Sequence, residues 1–156
     1  MKMKRSGQLS ICLILLVLNL LFIWGNSALP GKESAEISGG VLEWITDMVG
    51  ETIPDGEFVL RKLAHFSEFF SLGLLLFWLF RLLSQRGIHQ AAMPLLCGTL
   101  AALLDETLQV LTPDRGPSVV DVWIDVAGVA GGILLMLAGH FLYERMKHRT
   151  IGGNRT

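Results

Sequence analysis

The chain has little cysteine, almost no net charge and too few charged residues to clothe a soluble globule. Its two cysteines, Cys12 and Cys97, sit in apolar runs without CxxC spacing or a neighbouring histidine. That excludes a zinc ribbon and a disulfide framework, and both read as small buried hydrophobes. Thirteen basic residues stand against 14 acidic ones, a formal net charge of −1, so no nucleic-acid footprint exists. Only 17% of residues are charged while 51% are hydrophobic, which excludes an ordinary soluble domain with a polar surface. A length of 156 residues suits one domain, residues 1–156.

What is present is a set of four apolar runs. Lys2, Lys4 and Arg5 precede residues 9–24, which are apolar except for Ser10 and Asn19. A basic start also suits a signal peptide, but the apolar core of such a peptide is about 7–15 residues and ends in small residues. Asn26-Ser27-Ala28 is a poor match to that ending. The run therefore reads as an uncleaved first span over about residues 8–26. Further spans are expected over about 58–83, 91–112 and 119–143, close to the roughly 20 residues that cross a bilayer core. A short turn with Arg86, Gly87 and His89 joins the second and third, and a tight loop over 113–118 joins the third and fourth.

Residues 27–57 form a polar loop that opens with the turn-forming Leu29-Pro30-Gly31-Lys32. Within it Val41, Trp44, Ile45, Met48 and Ile53 recur at helical spacing, and Glu43, Asp47 and Glu51 occupy another face. This predicts a short amphipathic helix ended by Pro54-Asp55-Gly56, lying on the membrane surface or packed on the mouths of the spans. Residues 144–156 form a basic tail with no order expected after Arg149. The fold class expected is all-α, a four-transmembrane-helix bundle with a short amphipathic helix in the first outer loop.

Placing both termini in the cytoplasm puts nine of the 13 basic residues on the cytoplasmic side. Lys32, Arg61, Lys62 and Arg115 then fall outside. In that orientation three spans bring ionisable residues to one outer level. His65 and Glu68 lie roughly 10–15 Å in from the start of the second span. Asp105 and Glu106 lie about 10 Å short of the end of the third, and Asp121 and Asp125 within roughly 3–9 Å of the start of the fourth. Each buried charge costs about 2.5–3.5 kcal/mol at a span's centre, so pairing across helices at one depth is the expected remedy.

Helical spacing sorts these residues by face. Lys62, His65 and Glu68 share one, Asp105 and Gln109 another, and Asp121 and Asp125 a third, while Glu106 points about 100° away from Asp105. Gly128, Gly131 and Gly132 continue near the aspartate side, and the Gly128/Gly132 pair reads as close helix packing. With His65 neutral, Lys62, Arg115 and Arg61 against Glu68, Asp105, Glu106, Asp121 and Asp125 leave two surplus negative charges. Either carboxylates hold protons there or something positive binds. His65-x-x-Glu68 offers two metal ligands on one face, but one histidine among carboxylates and basic residues is not a strong metal signature. No cofactor is expected, with a divalent metal as the lesser option.

These residues carry a resemblance to the VanZ-like family of small bacterial membrane proteins. The matching pieces are Lys62-x-x-His65-Phe-x-Glu68, Asp105-Glu106-x-x-Gln109, Arg115, and Asp121-x-x-x-Asp125-x-x-Gly128, which together run from about Arg61 to Gly132. Many members carry Asn where this chain has Asp125. The resemblance implies a multi-pass protein of the bacterial plasma membrane with a link to the cell envelope, since the founding member confers resistance to teicoplanin. It implies no particular reaction.

Two functions follow as expectations. One is an outer-face site that binds or processes a lipid-linked envelope molecule or a lipophilic glycopeptide. There Lys62 and Arg115, with Gln109, Asp121 and Asp125, would hold the ligand. In an enzyme, His65 would act as base beside Glu68, Asp105 or Glu106 on an activated water, since no nucleophile lies in the motif. The other is a non-enzymatic structural module whose polar cluster glues helices together. An ion path is disfavoured, because the inner halves of the spans are apolar apart from Asn19 and Thr99. Nothing in the sequence names an oligomeric state.

Overall fold

The structure, a computed structural model, describes residues 4–51, 54–84 and 87–152. Lys2, Ile53, Arg86 and Arg155 lie outside the described residues. Among those described, the chain is five helices: α1 (Arg5–Ser27), α2 (Gly31–Val49), α3 (Gly56–Leu82), α4 (His89–Val110) and α5 (Val119–Gly152). α1, α3, α4 and α5 are each long and apolar enough to cross a membrane. The all-α fold class expected from the sequence is the one found.

α3 is the axis of the bundle, packed against all four other helices. It contributes Phe69, Leu72, Leu76 and Phe77 to the core. Around them lie Cys12, Leu16 and Ile23 of α1, Ala101 and Ala102 of α4, and Val129 and Ile133 of α5. Leu18, Leu21 and Phe22 of α1, Leu100 and Leu104 of α4, and Leu134 and Leu135 of α5 point outward and are exposed. Apolar side chains on both the inside and the outside are what a lipid-facing bundle needs. Cys12 is buried, its thiol 3.6 Å from the Leu75 carbonyl, and Cys97 is half-buried, both free.

The most extensively packed pair is α3 with α5, and glycine makes it so. A Cβ on Gly128 would stand 2.5 Å from the Phe66 carbonyl oxygen, and one on Gly132 2.3 Å from that of Phe70. From the other side, a Cβ on Gly73 would stand 2.3 Å from the Val129 carbonyl oxygen. The two backbones therefore touch, as the Gly128/Gly132 spacing predicts. On α4, Gly98 gives the same room to the Val129 side chain.

Three boundaries differ from the sequence reading. α2 begins at Gly31, about ten residues earlier than the apolar stripe shows, because Pro30 stands at its N-cap with φ fixed by its ring and Lys32–Ser38 offer helix-compatible residues. It ends at Gly50, whose left-handed φ of 77° and N–H to Thr46 O close the last turn, so Glu51 lies beyond the helix. The third correction is the tail, where α5 continues as helix to Gly152. Arg145 there lies over the Phe141 ring at 4.4 Å. α2 has no buried residue, and Ile37, Val41, Trp44 and Met48 form an exposed apolar stripe.

Two sets of polar contacts tie the ends of the bundle. At one end Arg5 Nε donates to the Leu82 carbonyl at 2.8 Å, and Arg5 Nη2 donates to Ser84 Oγ at 2.7 Å. At the other, the α1–α2 junction is stapled to the α4–α5 loop. Gly31 N–H donates to Pro113 O at 3.0 Å, Thr112 Oγ1 to Ser27 O at 3.2 Å, and Arg115 to the carbonyls of Leu29 and Asn26 at 3.0 and 2.5 Å.

If backbone contact at the glycines sets the α3–α5 crossing, Gly132→Leu lowers the thermal midpoint in detergent by roughly 5–10 °C through overpacking. Gly139→Leu, where a Cβ meets nothing within 4 Å, stays within about 2 °C of the parent. Equal midpoints for the two variants would contradict the packing described.

Candidate functional site

The stapled end of the bundle holds the ionisable residues. α3 brings Lys62, His65 and Glu68, α4 brings Asp105, Glu106 and Gln109, and α5 brings Asp121 and Asp125. Asp105 and Asp125 are wholly buried, Gln109, Asp121 and Glu106 nearly so. The Gly128 contact with Phe66 explains part of the arrangement. Asp125 precedes Gly128 by just under one turn, and His65 is the residue before Phe66. Touching backbones at that level bring His65 Nδ1 to 3.7 Å from Asp125 Oδ1 and 4.0 Å from Asp105 Oδ2.

Other members of the cluster are committed to partners of their own. Lys62 forms a direct ion pair with Asp121 and lies 5.0 Å from the centre of the Phe58 ring. Glu106 turns away from His65 and accepts the N–H of Ser118, at the start of α5, where a carboxylate suits the helix N-terminus. Glu68 accepts from Asn26 Nδ2 at 2.8 Å. Asp105 Oδ2 accepts from Ser27 Oγ at 2.8 Å and from Gln109 Nε2 at 3.1 Å. Arg115 spends its guanidinium on main-chain carbonyls rather than on a carboxylate. Its pKa is held below the usual arginine value by burial and then by the like charge of Arg61, while Asp105, Glu106 and Glu68 act the other way.

Once these pairs are made, five atoms of the cluster have no hydrogen-bond partner among the described residues: His65 Nδ1, Asp105 Oδ1, both oxygens of Asp125 and Glu106 Oε2. The atoms of His65, Asp105 and Asp125 lie within 4.8 Å of one another. Beside His65 opens a cleft of about 130 Å³ between α1, α2 and α3. Arg61, Arg115, Glu68, Asn26, Ser38 and Ile37 line it. Arg61 has no hydrogen-bond or ion-pair partner among the described residues.

The structure thus brings together His65, Asp105 and Asp125, and it couples Gln109 to Asp105 and Lys62 to Asp121. Glu68 and Arg115 stand at the cleft, and Glu106 faces the start of α5. Sequence reasoning passed over Asn26 and Ser27, weighed only as a cleavage site, although they supply donors to Glu68 and Asp105. The signal was there: Asn19 and Asn26 are seven residues apart and share one face of an otherwise apolar helix. Asn19 uses that face as well, donating to Ser71 Oγ at 2.7 Å.

Fold and site together define a small multi-pass α-helical membrane protein with an ionisable site enclosed at one end of its bundle. The chain belongs to the VanZ/LLP1 family, which it matches over residues 11–142, from the first span into the last. No curated protein and no solved structure matches the chain.

The Lys62–Asp121 pair predicts a non-additive result. Lys62→Leu leaves a buried carboxylate without its counter-charge and costs about 2 kcal/mol, roughly 4–8 °C in thermal midpoint. Adding Asp121→Leu recovers most of that loss. A double variant no more stable than Lys62→Leu, measured by thermal unfolding in detergent, would show that the two residues do not act as a pair.

Proposed function

We propose that the cleft beside His65 binds the phosphate-bearing head of a lipid-linked cell-envelope molecule at the outer face of the bacterial plasma membrane. The observation that carries this reading is Arg61, a cation bordering the cleft together with a second guanidinium and without a hydrogen-bond or ion-pair partner among the described residues. The Arg61 and Arg115 guanidinium groups border the cleft beside the Glu68 carboxylate; an anion between them would relieve their mutual repulsion, and the planar donor fork suits phosphate oxygens. Ile37 and Leu29 supply an apolar wall on the same cleft. The exposed stripe of α2 lets that wall continue into the bilayer interface, where the acyl part of such a ligand runs.

Lys62, expected from the sequence to grip the ligand, is held by Asp121, so Arg61 takes that part with Arg115. The site suits binding first. If a reaction follows, His65 is the base within reach of the cleft, with Asp105 and Asp125 behind it. Glue alone does not account for the cluster. The pairs that link helices satisfy their members, whereas His65 Nδ1 and both Asp125 oxygens have no hydrogen-bond partner among the described residues. Orientation rests on the described basic residues at the far end, Lys4, Arg5, Arg81, Arg145 and Lys147, which favour a cytoplasmic placement of both termini. The glycopeptide-resistance role that the resemblance brings with it would act through the same outer cleft.

Arg61→Ala is expected to weaken binding of a polyprenyl diphosphate to the protein in neutral-lipid nanodiscs by about tenfold or more. It leaves the thermal midpoint unchanged, since Arg61 makes no hydrogen bond or ion pair among the described residues. Equal affinity of parent and variant would contradict the reading. Reporter fusions should place Ser118 outside and Ser84 inside the cell, and the reverse pattern would overturn the orientation.

A further inference from the structure

We infer that His65, Asp105 and Asp125 form a binding site for one divalent transition-metal ion. The inference rests on the groups that helix pairing leaves over. Asp125 is fully buried and neither of its oxygens has a hydrogen-bond partner among the described residues. His65 Nδ1 and Asp105 Oδ1 are buried and unpartnered beside it. A buried carboxylate without donors or a counter-charge is among the costliest arrangements in a protein. The nearby basic residues do not relieve it: Lys62 is paired with Asp121, and Arg115 with two main-chain carbonyls.

Geometry and donor chemistry favour a metal. One imidazole nitrogen and two carboxylates present ligand atoms from three helices within 4.8 Å of one another. Around a metal with bonds of about 2.0–2.2 Å, tetrahedral ligand atoms lie about 3.4 Å apart. His65 Nδ1 stands 3.7 Å from Asp125 Oδ1, near that spacing, and 4.0 Å from Asp105 Oδ2, whose carboxylate has its other oxygen, Oδ1, free to ligate. A neutral imidazole and two carboxylates also cancel a double positive charge. The mixed nitrogen and oxygen set suits Zn²⁺ or Mn²⁺ better than Mg²⁺ or Ca²⁺, which favour oxygen alone.

The surroundings resemble those of a metal ligand shell. Ser27 and Gln109 both donate to Asp105 Oδ2 and fix that carboxylate with its other oxygen free, the outer support that ligating carboxylates need. Glu68, the partner that His-x-x-Glu spacing suggested, is tied to Asn26 and stands outside the triad. Three protein ligands leave a coordination position open. His65 also lines the cleft, so that position is available to water or to a ligand oxygen.

The test uses the full chain purified in detergent, stripped with chelator and dialysed against Zn²⁺. The parent should retain one ion per chain. Asp125→Asn and His65→Gln should each weaken retention by about tenfold or more, while Arg61→Ala binds Zn²⁺ like the parent. That last variant separates this inference from the anion reading, since either can fail without the other. Should Asp125→Asn or His65→Gln not fold, pulsed electron paramagnetic resonance of the Cu²⁺-loaded parent decides. Coupling to the nitrogen of a single imidazole is expected. Less than stoichiometric Zn²⁺ in the parent, parent-like binding in both ligand variants, or no imidazole coupling would overturn the site.

Discussion

A carboxylate taken out of water into an apolar bundle must be given hydrogen-bond donors or a counter-charge, and the structure of this protein depends on how that demand is met. Five carboxylates and one imidazole gather at one end of four lipid-compatible helices. Three of the carboxylates are answered within the chain: Asp121 by Lys62, Glu68 by Asn26 and one oxygen of Glu106 by the start of α5. Those pairs link helices that adjoin one another, and each is a reason for the helices to sit where they do. Asp105 is half answered, by Ser27 and Gln109. Asp125 is not answered by any of the described residues.

That uneven distribution separates scaffold from site. Under the reading proposed above, the buried Asp125 facing His65, without a hydrogen-bond partner among the described residues, belongs to the site. The position of that aspartate is enforced by backbone contact. Gly128 and Gly132 let α5 lie against α3 so closely that no side chain separates them, and Asp125 and His65 flank the contact. The stapling of the α1–α2 junction by Arg115, Thr112 and Gly31 closes the same end from another side. Arg61 borders the cleft beside His65 at that end. Packing, electrostatics and access thus meet at one level of the molecule.

Much of this was legible in the sequence because membrane helices impose simple accounting. The four spans follow from apolar run length, and the family from Lys62, His65, Glu68, Asp105, Gln109, Asp121 and Gly128 in order. Spacing rules showed which residues share a face, and the Gly128/Gly132 pair marked the tight crossing. Partner choice was not legible, because it depends on angles between helices that periodicity does not carry. Lys62 and Asp121 were both singled out, yet nothing in their spacing said that they meet. The extent of α2 was missed because its first turns, Lys32 to Ser38, lack the apolar stripe by which a helix is recognised. Asn26 and Ser27 were missed because a polar end to a first span reads as its exit from the membrane.

The most direct test is a density map of the full chain in lipid, at a resolution that separates side chains. This account predicts His65, Asp105 and Asp125 pointing into one enclosed space within about 5 Å of one another, with Arg61 at the mouth of the adjoining cleft. A map in which those three side chains face lipid, or stand on opposite sides of the bundle, would contradict it.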